Sequence, residues 1–178
     1  KWTGPVIAAL LSAVAVNLLA ANLAPRAISW RVMRGIAQAA GGDNRAVHAP
    51  RADASARAIV RPSPDLLYSA CVFNLRDRAL RVQAPVPDSY FSIAGFAANT
   101  DNFFALNDSQ LQADASGQKH FDLVITRAGL PVQAPAGARV IEAPGERGVI
   151  LFRALIADDG KLAELRDRFQ AQQDCAPL

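Results

Sequence analysis

The sequence has few of the residues on which most catalytic and metal sites depend. Only two cysteines and two histidines occur among 178 residues. Cys71 and Cys175 are too far apart to form a CxxC pair, and His48 and His120 are also widely separated. The sequence also lacks a glycine-rich phosphate loop, a GxSxG elbow, an internal repeat and a low-complexity tail. We therefore expect no cofactor and no bound metal.

Charge is absent from residues 2–25, WTGPVIAALLSAVAVNLLAANLAP. About 20 apolar residues suffice to cross a bilayer as a helix, and residues 6–24 have that length. We predict a transmembrane anchor and an amphipathic juxtamembrane helix over residues 1–42, followed by one domain over 43–178. A cleaved signal peptide, with its shorter apolar core, and a buried helix are the weaker alternatives. Because the chain starts with Lys1 and not Met, we expect residues before it.

The predicted anchor carries many small side chains, which allow two helices to approach closely in lipid. These residues are Ala8, Ala9, Ser12, Ala13, Ala15, Ala20 and Ala21. Asn17 lies in the middle of the span, where a polar side chain favours a neighbouring helix over lipid. We therefore predict that Ala13 and Asn17 dock on an integral membrane protein complex. The alternative is that the anchor is a simple tether.

Arginines follow the predicted span, with one tryptophan among them. Arg26, Trp30, Arg31 and Arg34 are predicted to lie at the membrane surface, where the guanidinium groups contact lipid headgroups. Only Lys1 precedes the span, so the positive-inside rule alone would place the following domain in the cytoplasm. The net charge of the whole chain is only +3, which argues against a nucleic-acid surface.

The remaining sequence contains short β-type segments separated by Pro, Asn and Asp turns. They cover residues 66–75, 79–84, 90–97, 120–126, 139–142 and 148–156. This spacing predicts a mainly β fold with helices, an antiparallel sandwich or barrel. Residues 161–172 have the pattern of an amphipathic helix, which Asp158 or Asp159 can cap.

Three segments resemble the bacterial domain-of-unknown-function 1254 family. They are residues 44–75, which contain RPSPDLLYS, residues 86–108, which contain TDNFF, and residues 145–156. The resemblance covers about residues 43–175 and is closest to the short, membrane-anchored members. It implies a jelly-roll-like β-sandwich and a periplasmic domain. It implies no activity that can be assigned to particular residues.

The polar residues of these segments are weak candidates for a catalytic site, namely Asp65, Tyr68, Asp101 and His48. An acid–base site would require several of them to converge. Structural roles are the more economical interpretation. Asp and Asn in turns bind their own backbone, the Tyr68 hydroxyl can anchor a sheet edge, and Arg61 can pair with Asp65.

Cys71 and Cys175 are candidates for one disulfide if the domain lies outside the cytoplasm. The alternative is one buried cysteine and one loose thiol in the C-terminal tail. Sequence alone gives no geometry that decides between them.

These observations predict a single-pass protein of the bacterial inner membrane with its head in the periplasm. We expect an accessory or scaffold subunit of a membrane protein assembly, without catalysis of its own. One alternative is a periplasmic domain that binds a small ligand or the envelope. Another is a hydrolase or isomerase that a partner domain completes.

Overall fold

The structure, a computed structural model, describes residues 2–57, 61–111 and 117–178. Its first element is one long helix, α1 (Thr3–Ala40), so the predicted anchor and juxtamembrane helix are continuous through Pro25. At 38 residues, α1 is about 57 Å long, roughly twice the length that a bilayer core requires. It ends at Gly41, whose φ of 75° is the left-handed conformation that glycine adopts at helix C-termini.

The described residues after α1 form two sheets. The first sheet contains, in spatial order, β1 (Ala46–His48), β2 (Leu66–Asn74), β8 (Arg147–Leu155), β4 (Phe91–Ala97) and β5 (Asn102–Asn107). The second contains β7 (Arg139–Ala143), β6 (Lys119–Arg127), β3 (Leu80–Val86) and β9 (Asp174–Pro177). The predicted mainly β class, with a long N-terminal apolar helix and a short C-terminal helical segment, is confirmed.

Alternation along the strands places the core between the two sheets. Odd-numbered residues of β2 and even-numbered residues of β8 point into it, because successive side chains of a strand point to opposite faces. Its largest fully buried side chains include Phe73, Phe91, Phe121 and Phe152. Burying such a side chain stabilises the fold by about 1.5–3 kcal/mol. The other face of the first sheet is therefore free to carry α1.

Two details differ from the sequence-based expectation. β7 pairs with β6 in parallel, whereas we expected antiparallel strands throughout. The predicted helix over residues 161–172 is a succession of short helical turns: Asp159–Lys161, Leu162–Glu164, Leu165–Phe169 and Gln170–Gln172. The Asp158 side chain accepts a hydrogen bond from the Gly160 amide, as expected of its cap. β9 then returns the chain antiparallel to β3, which tethers the C-terminal end of this segment to the second sheet.

Candidate functional site

A groove of about 850 Å³ lies between the second half of α1 and the outer face of the first sheet. We call it the α1 groove. Its helical wall consists of Ile28, Arg31, Val32, Gly35, Ile36 and Ala39. Its sheet wall includes Val47, His48, Ala49, Tyr68, Ala70 and Leu151. Most of these side chains are apolar, and none of the lining residues is acidic.

Helical periodicity explains the helical wall. Ile28, Val32, Gly35, Ile36 and Ala39 recur at intervals of three and four residues, so they form one stripe along α1. The small residues in this stripe leave space beside the sheet, and a Cβ atom added at Gly35 would meet no atom within 4 Å. The groove is therefore left open by small side chains at the helix face.

Contacts next to the groove hold α1 on the sheet. Met33 is only 5% exposed, and Val72, on the outer face of β2, is fully buried. Just beyond the helix, the Asn44 amide donates to the Val72 carbonyl at 2.7 Å, and the Asn44 side chain accepts from the Asn74 amide at 2.7 Å. These bonds fix where the chain leaves α1 and enters the first sheet.

A polar row crosses the sheet at the edge of the groove. Tyr68 on β2 lies opposite Arg153 on β8, and Arg153 lies opposite Ser92 on β4. The Nε of Arg153 and the Oγ of Ser92 are both buried and have no hydrogen-bond partner among the described residues. An unsatisfied buried polar group costs about 1–3 kcal/mol. Tyr68 differs, since its hydroxyl accepts a hydrogen bond from the Ser63 amide at 3.0 Å, as the structural interpretation predicted.

The C-terminal segment is hydrogen-bonded to the backbone of two residues that line the groove. The Gln170 side-chain amide is buried and donates to the carbonyls of Ala49 and Tyr68, at 2.9 and 3.0 Å. His48 lies beside them, with its Nδ1 at 3.0 Å from the Ser69 hydroxyl. Burial lowers the pKa of His48, and the nearby carboxylate of Asp174 partly opposes that shift. His48 is therefore favoured in its neutral form.

Both cysteines are buried and adjacent. Cys71 faces the core from β2, and Cys175 on β9 lies beside it. Burial, helped by the neighbouring Cys71, raises the pKa of Cys175 well above that of an ordinary thiol. Neither is a loose tail thiol. Both thiols are free in this structure, so the disulfide stays a prediction.

The four weak catalytic candidates do not come together. His48 and Tyr68 line the α1 groove, whereas Asp101 lies in the turn after β4, at the opposite end of that strand from the polar row. Asp101 accepts a hydrogen bond from Asn99, and the Asp101 amide donates back to the Asn99 side chain. Asp65 uses its backbone carbonyl to accept from the Ile156 amide. No group of three or more His, Cys, Asp or Glu residues in the described chain could hold a metal ion.

The predicted pairing of Arg61 with Asp65 is wrong for the described residues. No ion pair joins them, and Arg61 is exposed. The local hydrogen bonds explain this, because the Asp65 amide donates to the Ser63 hydroxyl and the Ser63 amide donates to Tyr68. The turn is also bound by a different arginine, since the Arg51 Nε donates to the Pro64 carbonyl at 2.9 Å.

The predicted membrane-contacting residues lie on α1. Among the described helices, α1 alone is long and apolar enough to cross a membrane, and none of the residues in its most apolar stretch is buried. Asn22 donates to the Leu18 carbonyl, whereas the Asn17 side chain has no hydrogen-bond partner in the described part of the chain. Arg26 donates to the Asn22 carbonyl. The Arg34 guanidinium lies 5.4 Å from the centre of the Trp30 ring, a cation–π contact.

Arg153 and Ser92 were missed by sequence reasoning. A usable signal was present, because Arg153 is the one charged residue in the otherwise apolar segment GVILFRALI. The sequence could not show its neighbours, since Tyr68 and Ser92 reach it only through strand pairing.

Comparison with known proteins places this fold in a family. Residues 44–177 match the family described as a protein of unknown function, DUF1254. The chain belongs to the DUF1254 family. This match covers both sheets, whereas α1 precedes it. The sequence matches none of the curated proteins with which it was compared.

Two solved structures resemble the fold. The VPA0106 protein of Vibrio parahaemolyticus superposes with a TM-score of 0.55 at 13% identity, over 65% of this chain and 28% of that one. An uncharacterised protein from Burkholderia cenocepacia gives a TM-score of 0.51 at 15% identity, over 79% of this chain and 36% of its own. This DUF1254 chain therefore spans about a third of those proteins, and the likeness concerns the fold alone.

Proposed function

We propose that this DUF1254 protein is a single-pass protein of the bacterial inner membrane whose periplasmic head binds an amphiphile at the membrane surface. The observation that carries the proposal is the α1 groove. Its volume is typical of a site for one small molecule, and its walls are mainly apolar. The groove begins at Ile28, shortly after the uncharged stretch of the same helix. A hydrocarbon chain leaving the bilayer would meet the groove directly.

The periplasmic orientation is part of this proposal. It is supported by the family membership and by two adjacent cysteines that an oxidising compartment could join. The arginines that follow the span oppose it. A fusion of the C-terminus to alkaline phosphatase, compared with a fusion to green fluorescent protein, decides the orientation. Phosphatase activity supports the proposal, and fluorescence without phosphatase activity contradicts it.

Filling the groove tests the binding function. Gly35→Leu adds a large side chain to the groove wall, and the substitution favours the helix. Gln38→Leu is the matched control, because Gln38 lines a different cleft with Trp30 and Arg34. The full chain in lipid nanodiscs is titrated with a fluorescent long-chain amphiphile. We expect Gly35→Leu to weaken saturable binding about tenfold and Gln38→Leu to leave it unchanged. Equal binding by all three proteins contradicts the proposal.

An accessory role in a membrane protein complex is the second candidate. It is favoured by one observation on the anchor, the exposed Asn17 side chain without a hydrogen-bond partner, since such a group in lipid favours a neighbouring helix. The two roles are compatible, because docking uses the first half of α1 and the groove uses the second half. Replacing the first half with an unrelated span tests docking without altering the groove.

A further inference from the structure

We infer that the amphiphile is a long-chain carboxylic acid, whose carboxylate is bound by Arg153 and Ser92. This inference rests on the proposed binding function and adds the chemistry of the head group. The hydrocarbon chain would lie along the apolar part of the α1 groove. The carboxylate would lie at the polar row that borders it.

Arg153 is exceptional among the half-buried strand arginines. Arg81 donates to a carboxylate at 2.9 and 2.7 Å, Arg147 donates to another at 2.9 Å, and Arg127 donates to two backbone carbonyls at 3.0 Å. Arg153 has no ion pair and no side-chain hydrogen bond in the described part of the chain. Its Nε is buried and unpartnered, as is that of Arg147, whereas its terminal nitrogens are accessible and have no protein partner. A guanidinium in such surroundings is ordinarily paired, so its free donors indicate an anionic ligand.

Ser92 provides the second, independent observation. It is only 5% exposed, and its hydroxyl has no partner although Arg153 lies directly opposite on β8. A guanidinium presents parallel N–H groups that match the two oxygens of a carboxylate, and the serine hydroxyl can donate to one of them. A carboxylate bound by the accessible terminal nitrogens of Arg153 would therefore lie beside the Ser92 hydroxyl.

The polar row lies close enough to the groove for one ligand to reach both. Tyr68 belongs to the row and to the groove, since it lies opposite Arg153 and also lines the α1 groove. Leu151, another groove residue, lies two positions before Arg153 on the same face of β8, about 7 Å away along the strand. The volume of the groove suits one chain better than the two chains of a phospholipid. A single-chain acid matches both parts of the site.

Competition between two ligands that differ only in the head group tests this inference. The full chain in zwitterionic nanodiscs is loaded with a fluorescent fatty acid, which is displaced by hexadecanoic acid or by hexadecanol. The same titration with the Gly35→Leu protein, whose groove is filled, shows how much of the displacement is caused by partition of each compound into the discs. We expect the acid to displace the probe about tenfold more effectively than the alcohol.

Variants of Arg153 test whether this residue causes the preference for the acid over the alcohol. Arg153→Leu should abolish the preference for the acid while the alcohol competes as before. Arg153→Lys, which keeps the charge without the planar fork, should retain part of it. Arg139→Leu is the matched control, because Arg139 is exposed on β7 of the second sheet, and it should retain the full preference. Thermal melting of each variant excludes unfolding as the cause.

The outcomes separate the two proposals. Equal displacement by acid and alcohol in the wild-type protein, or an undiminished preference in folded Arg153→Leu, overturns the assignment of the carboxylate site and leaves the groove as a binding site. Loss of the preference in Arg139→Leu as well would show a general effect of charge and also overturns the inference. Absence of saturable displacement by either compound overturns the proposed function itself. Preferential displacement by an anionic two-chain phospholipid overturns the choice of a single-chain acid.

Discussion

The two halves of α1 are one continuous helix, yet they meet different surroundings. The uncharged first half exposes its large apolar side chains, including Leu10, Leu11 and Leu19 at 59–66%. In the second half, Met33 is buried against the head and the neighbouring stripe lines a groove. Apolar composition alone therefore does not identify what a helix contacts. The length of α1 shows that part of it lies outside a bilayer core, because about 57 Å of helix exceeds the thickness of that core.

The largest effect that we expect lies in the head and not in either half of α1. Oxidation of Cys71 and Cys175 to a disulfide would close a loop of about 100 residues and stabilise the head by about 4–5 kcal/mol, less any strain. Unfolding of the full chain in detergent, with and without reductant, measures this difference. The Cys71→Ser variant should show no response to reductant. Recovery of two alkylated thiols from protein purified without reductant contradicts disulfide formation.

Breaking the contact between the second half of α1 and the sheet should have the next largest effect. Val72→Asp places a carboxylate in a fully buried position on the outer face of β2, and we expect it to lower the free energy of unfolding by about 3–4 kcal/mol. Val140→Asp is the matched control, since Val140 is 47% exposed on β7 and its change should be small. Chemical unfolding monitored by tryptophan fluorescence and circular dichroism measures both.

A substitution in the first half completes this test. Leu10→Asp should impair membrane insertion, because a charged residue at mid-span costs about 2.5–3.5 kcal/mol, yet leave the unfolding midpoint of the head unchanged. A head destabilised equally by Leu10→Asp and Val72→Asp would show that the two halves of α1 act as one element.

The sequence predicts the first half of α1 better than the second. The uncharged stretch identified the membrane-spanning candidate directly, and turns and alternation identified most strands. The Asn99 and Asn107 turns also bind their own backbone as predicted. The groove could not be predicted, because it depends on where α1 lies over β2. Strand β9 was missed because its four residues carry too little pattern.

Docking of the first half of α1 should give a smaller effect, because polar contacts between membrane helices contribute only about 0.6–1.7 kcal/mol. Asn17→Leu should weaken association with an integral membrane partner about three- to tenfold, and Ala13→Leu should weaken it by preventing close approach. Blue-native electrophoresis of membranes that carry each variant measures the bound fraction. Asn22→Leu is a control, because Asn22 already donates to the Leu18 carbonyl. If a protein whose first half of α1 is replaced by an unrelated membrane span associates with the partner as well as the wild-type protein does, the anchor is only a tether.

The smallest effect that we expect is a pH dependence at the edge of the groove. Burial lowers the pKa of His48 in the folded protein, whereas the unfolded chain has the ordinary value of about 6.5. The unfolded state therefore binds more protons below that pH, so the contribution of His48 to stability is present above about pH 6.5 and is lost as the pH falls. Asp122, whose pKa is lowered by its hydrogen bond from Arg81, contributes only at more acidic pH. Unfolding midpoints at pH 7.5 and 5.5 should therefore differ more in the wild-type protein than in His48→Gln. An identical difference in both proteins would mean that His48 is solvated as freely in the folded head as in the unfolded chain.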